Sequence, residues 1–152
     1  MIADEAGSGG SASNAYSLTK IGAGTLTLSG INAYSGGTII NGGTLAVSAD
    51  NNLGSASGAL SFGGGTLQFL AGFSLSRNVT LNAGGGTLDT NGNSVTVSSP
   101  ISGSGGLTKI GTGTLTLSGV NTYAGGCAHS ITSLMRHFML SGCALVLAIS
   151  LP

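Results

Sequence analysis

Charge is the scarcest ingredient of this sequence. Asp, Glu, Lys and Arg make up 5% of its 152 residues, against about 25% in an ordinary soluble domain. Four acids, Asp4, Glu5, Asp50 and Asp89, balance four scattered bases, Lys20, Arg77, Lys109 and Arg136, to a formal net charge of zero. That scatter argues against a nucleic-acid partner, since displacing phosphate counterions takes clustered Lys and Arg. Cysteine does not occur before Cys127, and Cys143 is the only other one, so no disulfide framework holds the first 126 residues. Histidine is limited to His129 and His137, and no Cys-x-x-Cys occurs, which leaves the long repetitive part without a zinc ligand set. Residues 1–13 hold two acids and no apolar run. They read as a flexible N-terminus and not as a secretory leader.

Glycine is what the chain has in excess, at 29 residues, beside a hydrophobic content of 41%. A disordered linker holds too little apolar surface to offset chain entropy, so the combination points to a β-rich repeat whose glycines turn the chain. Two stretches carry the repeat openly. Residues 18–37 read LTKIGAGTLTLSGINAYSGG and residues 107–126 read LTKIGTGTLTLSGVNTYAGG, differing only at Ala23/Thr112, Ile31/Val120, Ala33/Thr122 and Ser35/Ala124.

A shorter period lies within. Gly-Thr-Leu begins at Gly24, Gly43, Gly65, Gly86 and Gly113, at intervals of 19, 22, 21 and 27 residues. The first three suit one turn of a solenoid; the last predicts an extra loop around Ser99-Pro100. In Thr25-Leu26-Thr27-Leu28 and Thr114-Leu115-Thr116-Leu117 the leucines fall on one face and the threonines on the other. Gly36-Gly37, Asn41-Gly42-Gly43, Gly63-Gly64-Gly65, Gly84-Gly85-Gly86 and Asn91-Gly92 mark the turns between such segments. One turn cannot bury its leucines alone, so successive turns must stack about 4.8 Å apart. The expected fold is therefore all-β, a right-handed parallel β-helix of about five to six rungs over residues 14–126, with no evident cap at either end.

Residues 127–152, CAHSITSLMRHFMLSGCALVLAISLP, differ in kind. The apolar run from Phe138 to Leu151 is shorter than the roughly 20 residues that span a bilayer. Leu140-Ser141-Gly142-Cys143 resembles a lipobox, but its apolar run follows the cysteine instead of preceding it. A frameshifted reading, a short anchor and a folded cap all remain open for this aberrant tail.

Candidate chemistry is thin. Acid–base catalysis needs two placed carboxylates or a partnered histidine. Asp50 and Asp89 are the only acids outside the terminus, and alignment on neighbouring rungs would be required of them. No Gly-x-Ser-x-Gly elbow occurs, and Cys127 with His129 lies in the aberrant tail. Gly84-Gly85-Gly86-Thr87-Leu88-Asp89 departs from the calcium-binding nonapeptide at Thr87. Outward threonine ranks can bind ice, but the Thr25/Thr27 and Thr114/Thr116 pairs are read as ordinary strand surface on separate rungs. Tyr16, Tyr34 and Tyr123 are read as packing residues ahead of carbohydrate stackers. No catalytic, cofactor-binding or metal-binding residue is expected.

The motif LTKxGxGTLTLSGxNxYxGG, with the continuation Gly37-Thr38-Ile39-Ile40-Asn41-Gly42-Gly43-Thr44-Leu45, resembles the passenger-associated strand repeat of bacterial autotransporters. The resemblance covers residues 14–126. It implies a β-helical passenger exported through an outer-membrane β-barrel, then displayed on or released from a Gram-negative cell. A non-catalytic structural or adhesive role follows, with host or neighbouring-cell surface molecules as partners. A fragment of a β-helical carbohydrate-active enzyme and a non-functional truncated product are the alternatives.

Overall fold

The computed structural model describes residues 15–129. They form a parallel β-solenoid of about five turns, each turn making three sides. Side one stacks β1 (Leu18–Lys20), β3 (Thr38–Ile40), β5 (Leu60–Phe62), β8 (Val79–Leu81) and β11 (Ile101–Gly103). Side two stacks β2 (Thr25–Leu28), β4 (Thr44–Val47), β6 (Thr66–Phe69), β9 (Gly86–Asp89), β12 (Leu107–Ile110) and β14 (Cys127–His129). Side three has β7 (Ser74–Leu75), β10 (Val95–Val97) and β13 (Leu115–Leu117), with a 3₁₀ turn at Asp50–Leu53 in the second rung. Every strand pairing is parallel.

The core follows from the alternation. Leu26, Leu45, Leu67 and Leu88 are successive register partners on side two, and all but the first are fully buried. Leu26, on the first described rung, is 37% exposed because no described rung covers it. Ile40, Phe62 and Leu81 form a second inward ladder on side one. Val95, Val97 and Leu115 extend the core on side three. Burying a side chain of this size contributes roughly 1.5–3 kcal/mol, and the stacking shares that gain between neighbouring rungs.

Glycine makes the corners. Gly22 and Gly111, equivalent in the two long copies, have φ of 72° and 80°, the left-handed region that a side chain disfavours. Gly43, at φ 61°, turns so close to the preceding rung that a Cβ would strike the carbonyl oxygens of Gly22 and Gly24. Asn91, at φ 47°, precedes Gly92 at 83°, as an Asn-Gly turn requires.

One expectation fails. No loop is inserted near Ser99-Pro100, because the rung after β9 is placed by β12 and not by the Gly-Thr-Leu at Gly113. Leu107 pairs with Gly86 and Thr108 with Thr87, a step of only 21 residues. The two long copies consequently sit one side out of phase. In the first, Leu-Thr-Lys lies on side one and Thr-Leu-Thr-Leu on side two; in the second, they lie on sides two and three. The copied unit specifies two strands and the glycine corner between them, and any corner of a three-sided solenoid can hold it.

Candidate functional surface

Both lysines of the repeat occupy inward slots. Lys20 is the register partner of Ile40, and Lys109 is the partner of Leu88; each is 7% exposed. An ammonium group there needs acceptors, and the left-handed glycine two residues later turns carbonyls toward it. Lys20 Nζ donates to the carbonyls of Ile21 (2.8 Å), Gly22 (2.9 Å) and Gly42 (3.1 Å). Lys109 Nζ donates to the carbonyls of Ile110 (3.3 Å) and Gly111 (2.8 Å) and to Thr90 Oγ1 (3.0 Å). Burial lowers the Lys109 pKa, and the nearby Asp89 carboxylate opposes that shift. The same corner chemistry thus appears twice, on different sides.

The largest departure from a plain rung spans residues 48–58 on side three of the second rung. Arg77, whose side chain is fully buried, pins it. Arg77 Nε and Nη2 donate to the two Asp50 carboxylate oxygens at 3.0 and 2.9 Å. The guanidinium also donates to the carbonyls of Asp50, Leu53, Ser55 and Gly58 at 2.9–3.1 Å. Asn52 closes the loop from within, its Oδ1 accepting from the Ser48 and Ala49 amides. Held in this way, the loop presents Asn51, Ala56 and Ser57 to solvent.

The outer face of side two carries a ladder of hydroxyls. Thr25, Thr44, Thr66, Thr87 and Thr108 are successive register partners over five rungs. Two residues further along each rung the column reads Thr27, Ala46, Gln68, Asp89 and Ile110, so no second threonine rank runs beside the first.

Asp50 and Asp89 stand on different sides and different rungs. Asp50 is engaged by Arg77, while Asp89 accepts from Gln68 Nε2 at 2.8 Å and from the Asn91 amide at 2.9 Å. Among the described residues, no three His, Cys, Asp or Glu side chains are grouped as metal ligands. Tyr34 is buried with its hydroxyl 2.8 Å from Thr38 Oγ1, and Tyr16 is half exposed. Tyr123, the counterpart of Tyr34, contacts Cys127 Sγ, the counterpart of Thr38. Burial raises the pKa of both Tyr34 and Tyr123. Asp4, Glu5, Arg136, His137 and Cys143 lie outside the described residues.

Sequence reasoning missed the threonine ladder and the Arg77 staple. The regular spacing of Gly24, Gly43, Gly65 and Gly86 already aligns four of the five threonines; the fifth was hidden in Leu107-Thr108-Lys109. Nothing in the sequence links Arg77 with Asp50, 27 residues away.

Comparison with known proteins agrees with this architecture. A family model described as Passenger-associated-transport-repeat matches residues 18–47 and 107–127. The Adhesin BmaC autotransporter of Brucella suis biovar 1 (strain 1330) is 46% identical over 86 residues, which cover 57% of this chain and 2% of that protein. The chain therefore spans a small part of the length of this relative. No solved structure matches. The parallel β-solenoid thus carries two stretches that match the passenger-associated repeat of autotransporters, and it resembles a segment of an autotransporter passenger.

Proposed function

We propose that this chain is a non-catalytic structural and adhesive segment of an autotransporter passenger. In that role it is displayed at the cell surface of a Gram-negative bacterium by a protein that continues into an outer-membrane β-barrel. The observation that carries the reading is how the polar side chains are used. Lys20, Lys109, Arg77 and Asp50 are tied to the backbone or to each other, and Asp89 is held by Gln68. A hydrolase or lyase of this shape needs acidic or basic groups that converge on one face. Here the outer faces offer hydroxyls and one stapled loop, which suits contact with a host or neighbouring-cell surface. The printed name of the Brucella relative, an adhesin, supports the same reading.

Display of residues 15–129 in a passenger lacking other binding regions tests it. Cells carrying the segment should adhere to host cells more than cells carrying the barrel alone. Replacing Ser55–Ser57 with charged residues should reduce the gain without unfolding the solenoid. Turnover of a polysaccharide by purified protein, abolished by Asp50→Ala or Asp89→Ala, would refute the non-catalytic reading.

A further inference from the structure

We infer that the outer face of side three is an ice-binding surface, a rigid and uncharged lattice of hydroxyls that orders water. Its outward residues form two ranks across β7, β10 and β13. Ser74, Thr96 and Thr116 are register partners and make the first. Ser76, Ser98 and Ser118, two residues further along each rung, make the second. Their alignment is fixed by the Ser98 amide donating to the Leu75 carbonyl at 3.1 Å and the Ser118 amide donating to the Val97 carbonyl at 3.0 Å. All six side chains are exposed or half-exposed. The sequence alone shows Thr114/Thr116 as an isolated pair. The phase shift of the second copy carries that pair from side two to side three, where Ser94 and Thr96 stand beside it.

The lattice is regular and firmly based. Hydroxyls recur about 4.8 Å apart from rung to rung and about 6.7 Å apart along each strand. Leu75, Val95, Val97 and Leu115 are buried beneath them, so the face rests on packed core. Ser98 and Ser118 repeat one arrangement: Oγ donates to the carbonyl of Leu75 (3.4 Å) and of Val97 (3.5 Å) on the preceding rung. Their protons point back along the sheet, which leaves lone pairs outward at matching positions. Neither rank contains a charge, since Arg77, next to Ser76, is buried inward.

These features select the ligand. The six positions span roughly 10 Å by 7 Å, too small to found a stable protein interface of about 800 Å² per partner. A neutral polysaccharide would have to displace water from every hydroxyl, and recovers that cost mainly on aromatic platforms; the two ranks hold none. Ice requires no such exchange, because its surface is water, and waters bridging fixed hydroxyls bond nearly as well as direct partners. A periodic face also suits a periodic solid. Side two fails this requirement, because Thr27, Ala46, Gln68, Asp89 and Ile110 stand beside its threonine ladder. The inference goes beyond the adhesive reading and does not require it.

Ice-affinity partitioning of the full chain tests it. Ice grown slowly from a dilute solution should take up the protein in preference to an inert carrier protein. Thr96→Lys, at the centre of the first rank, should lower the fraction entering ice about tenfold, the effect of losing about 1.4 kcal/mol of binding. Thr66→Lys, at the centre of the side-two ladder, should leave it unchanged. Far-UV circular dichroism checks that each variant folds, and Thr116→Lys, at an exposed position, replaces Thr96→Lys if that variant does not. Uptake no greater than that of the carrier overturns the inference, as does an equal loss in the side-two and side-three variants. Retention on an insoluble neutral polysaccharide that Thr96→Lys abolishes, without uptake into ice, also overturns it by assigning the face to sugars.

Discussion

Replacing Arg77 with methionine removes the guanidinium but keeps most of the side-chain volume. The loop at residues 48–58 then loses its clasp: the Asp50 carboxylate and the carbonyls of Leu53 and Gly58 keep no counterpart from that side chain. Breaking a buried ion pair by removing one partner costs roughly 3–5 kcal/mol. Asp50 is 22% exposed at its side chain, so water recovers part of that loss and the lower end applies. With a urea dependence of about 1–3 kcal/mol per molar, the midpoint should fall by about 2 M. Far-UV circular dichroism across a urea titration measures it. Arg77→Lys should recover less than half of the loss, because one ammonium cannot reach both the carboxylate and four carbonyls. Limited proteolysis should cut between Asn51 and Ala59 in the methionine variant before the rest of the chain. A midpoint within about 0.3 M of the parent would refute the claim that Arg77 holds this rung.

Three further predictions follow from the corners and the core. Gly43→Ala forces a left-handed residue against the carbonyls of Gly22 and Gly24, and should destabilise by at least about 2 kcal/mol in the same urea assay. Leu67→Ala empties the middle of the side-two ladder and should cost about 2–5 kcal/mol; a loss under 1 kcal/mol would mean that the ladder is not close-packed. The third concerns pH. Folding lowers the Lys109 pKa, so between that value and the ordinary lysine value near 10.4 the unfolded chain binds more protons, and stability rises with pH. Above about 10, the raised pKa values of Tyr34 and Tyr123 act oppositely, because the unfolded chain then releases protons first. Lys109→Met should abolish the rise and leave the alkaline loss, as read from urea midpoints at successive pH values.

The fold was legible because its determinants are local. Period-two alternation in Thr25–Leu28 and Val95–Val97, with glycine pairs between strands, defines rungs without any knowledge of the partner. The phase of the second copy was not legible. Gly113-Thr114-Leu115 carries the marker of the earlier side-two strands, yet Leu107–Ile110 takes that place. Side-two register here depends on Lys109 lying inward beside Leu88, and a lysine in an apolar ladder runs against its usual exposure. The carbonyls of Ile110 and Gly111 at that corner, together with Thr90 Oγ1, make the slot acceptable. The Arg77 staple was hidden for a related reason: Arg77 and Asp50 meet through stacking of adjacent rungs, a relation that no short window contains. The scarcity of charge, read from the sequence as evidence against catalysis, takes on a second meaning in the structure. Among the described residues, each charged side chain braces a corner, a loop or a neighbour.

The register of the second copy sets the side on which each of its strands lies, and cross-linking tests it most directly. With Cys127 and Cys143 changed to serine, cysteine pairs are placed at Thr87/Thr108 and, separately, at Thr87/Thr114, then treated with a thiol cross-linker short enough to join adjacent strands only. The observed pairing of Thr87 with Thr108 predicts efficient cross-linking of the first pair and none of the second. Cross-linking of Thr87/Thr114 in place of Thr87/Thr108 would contradict the one-side phase shift, and with it the placement of Lys109.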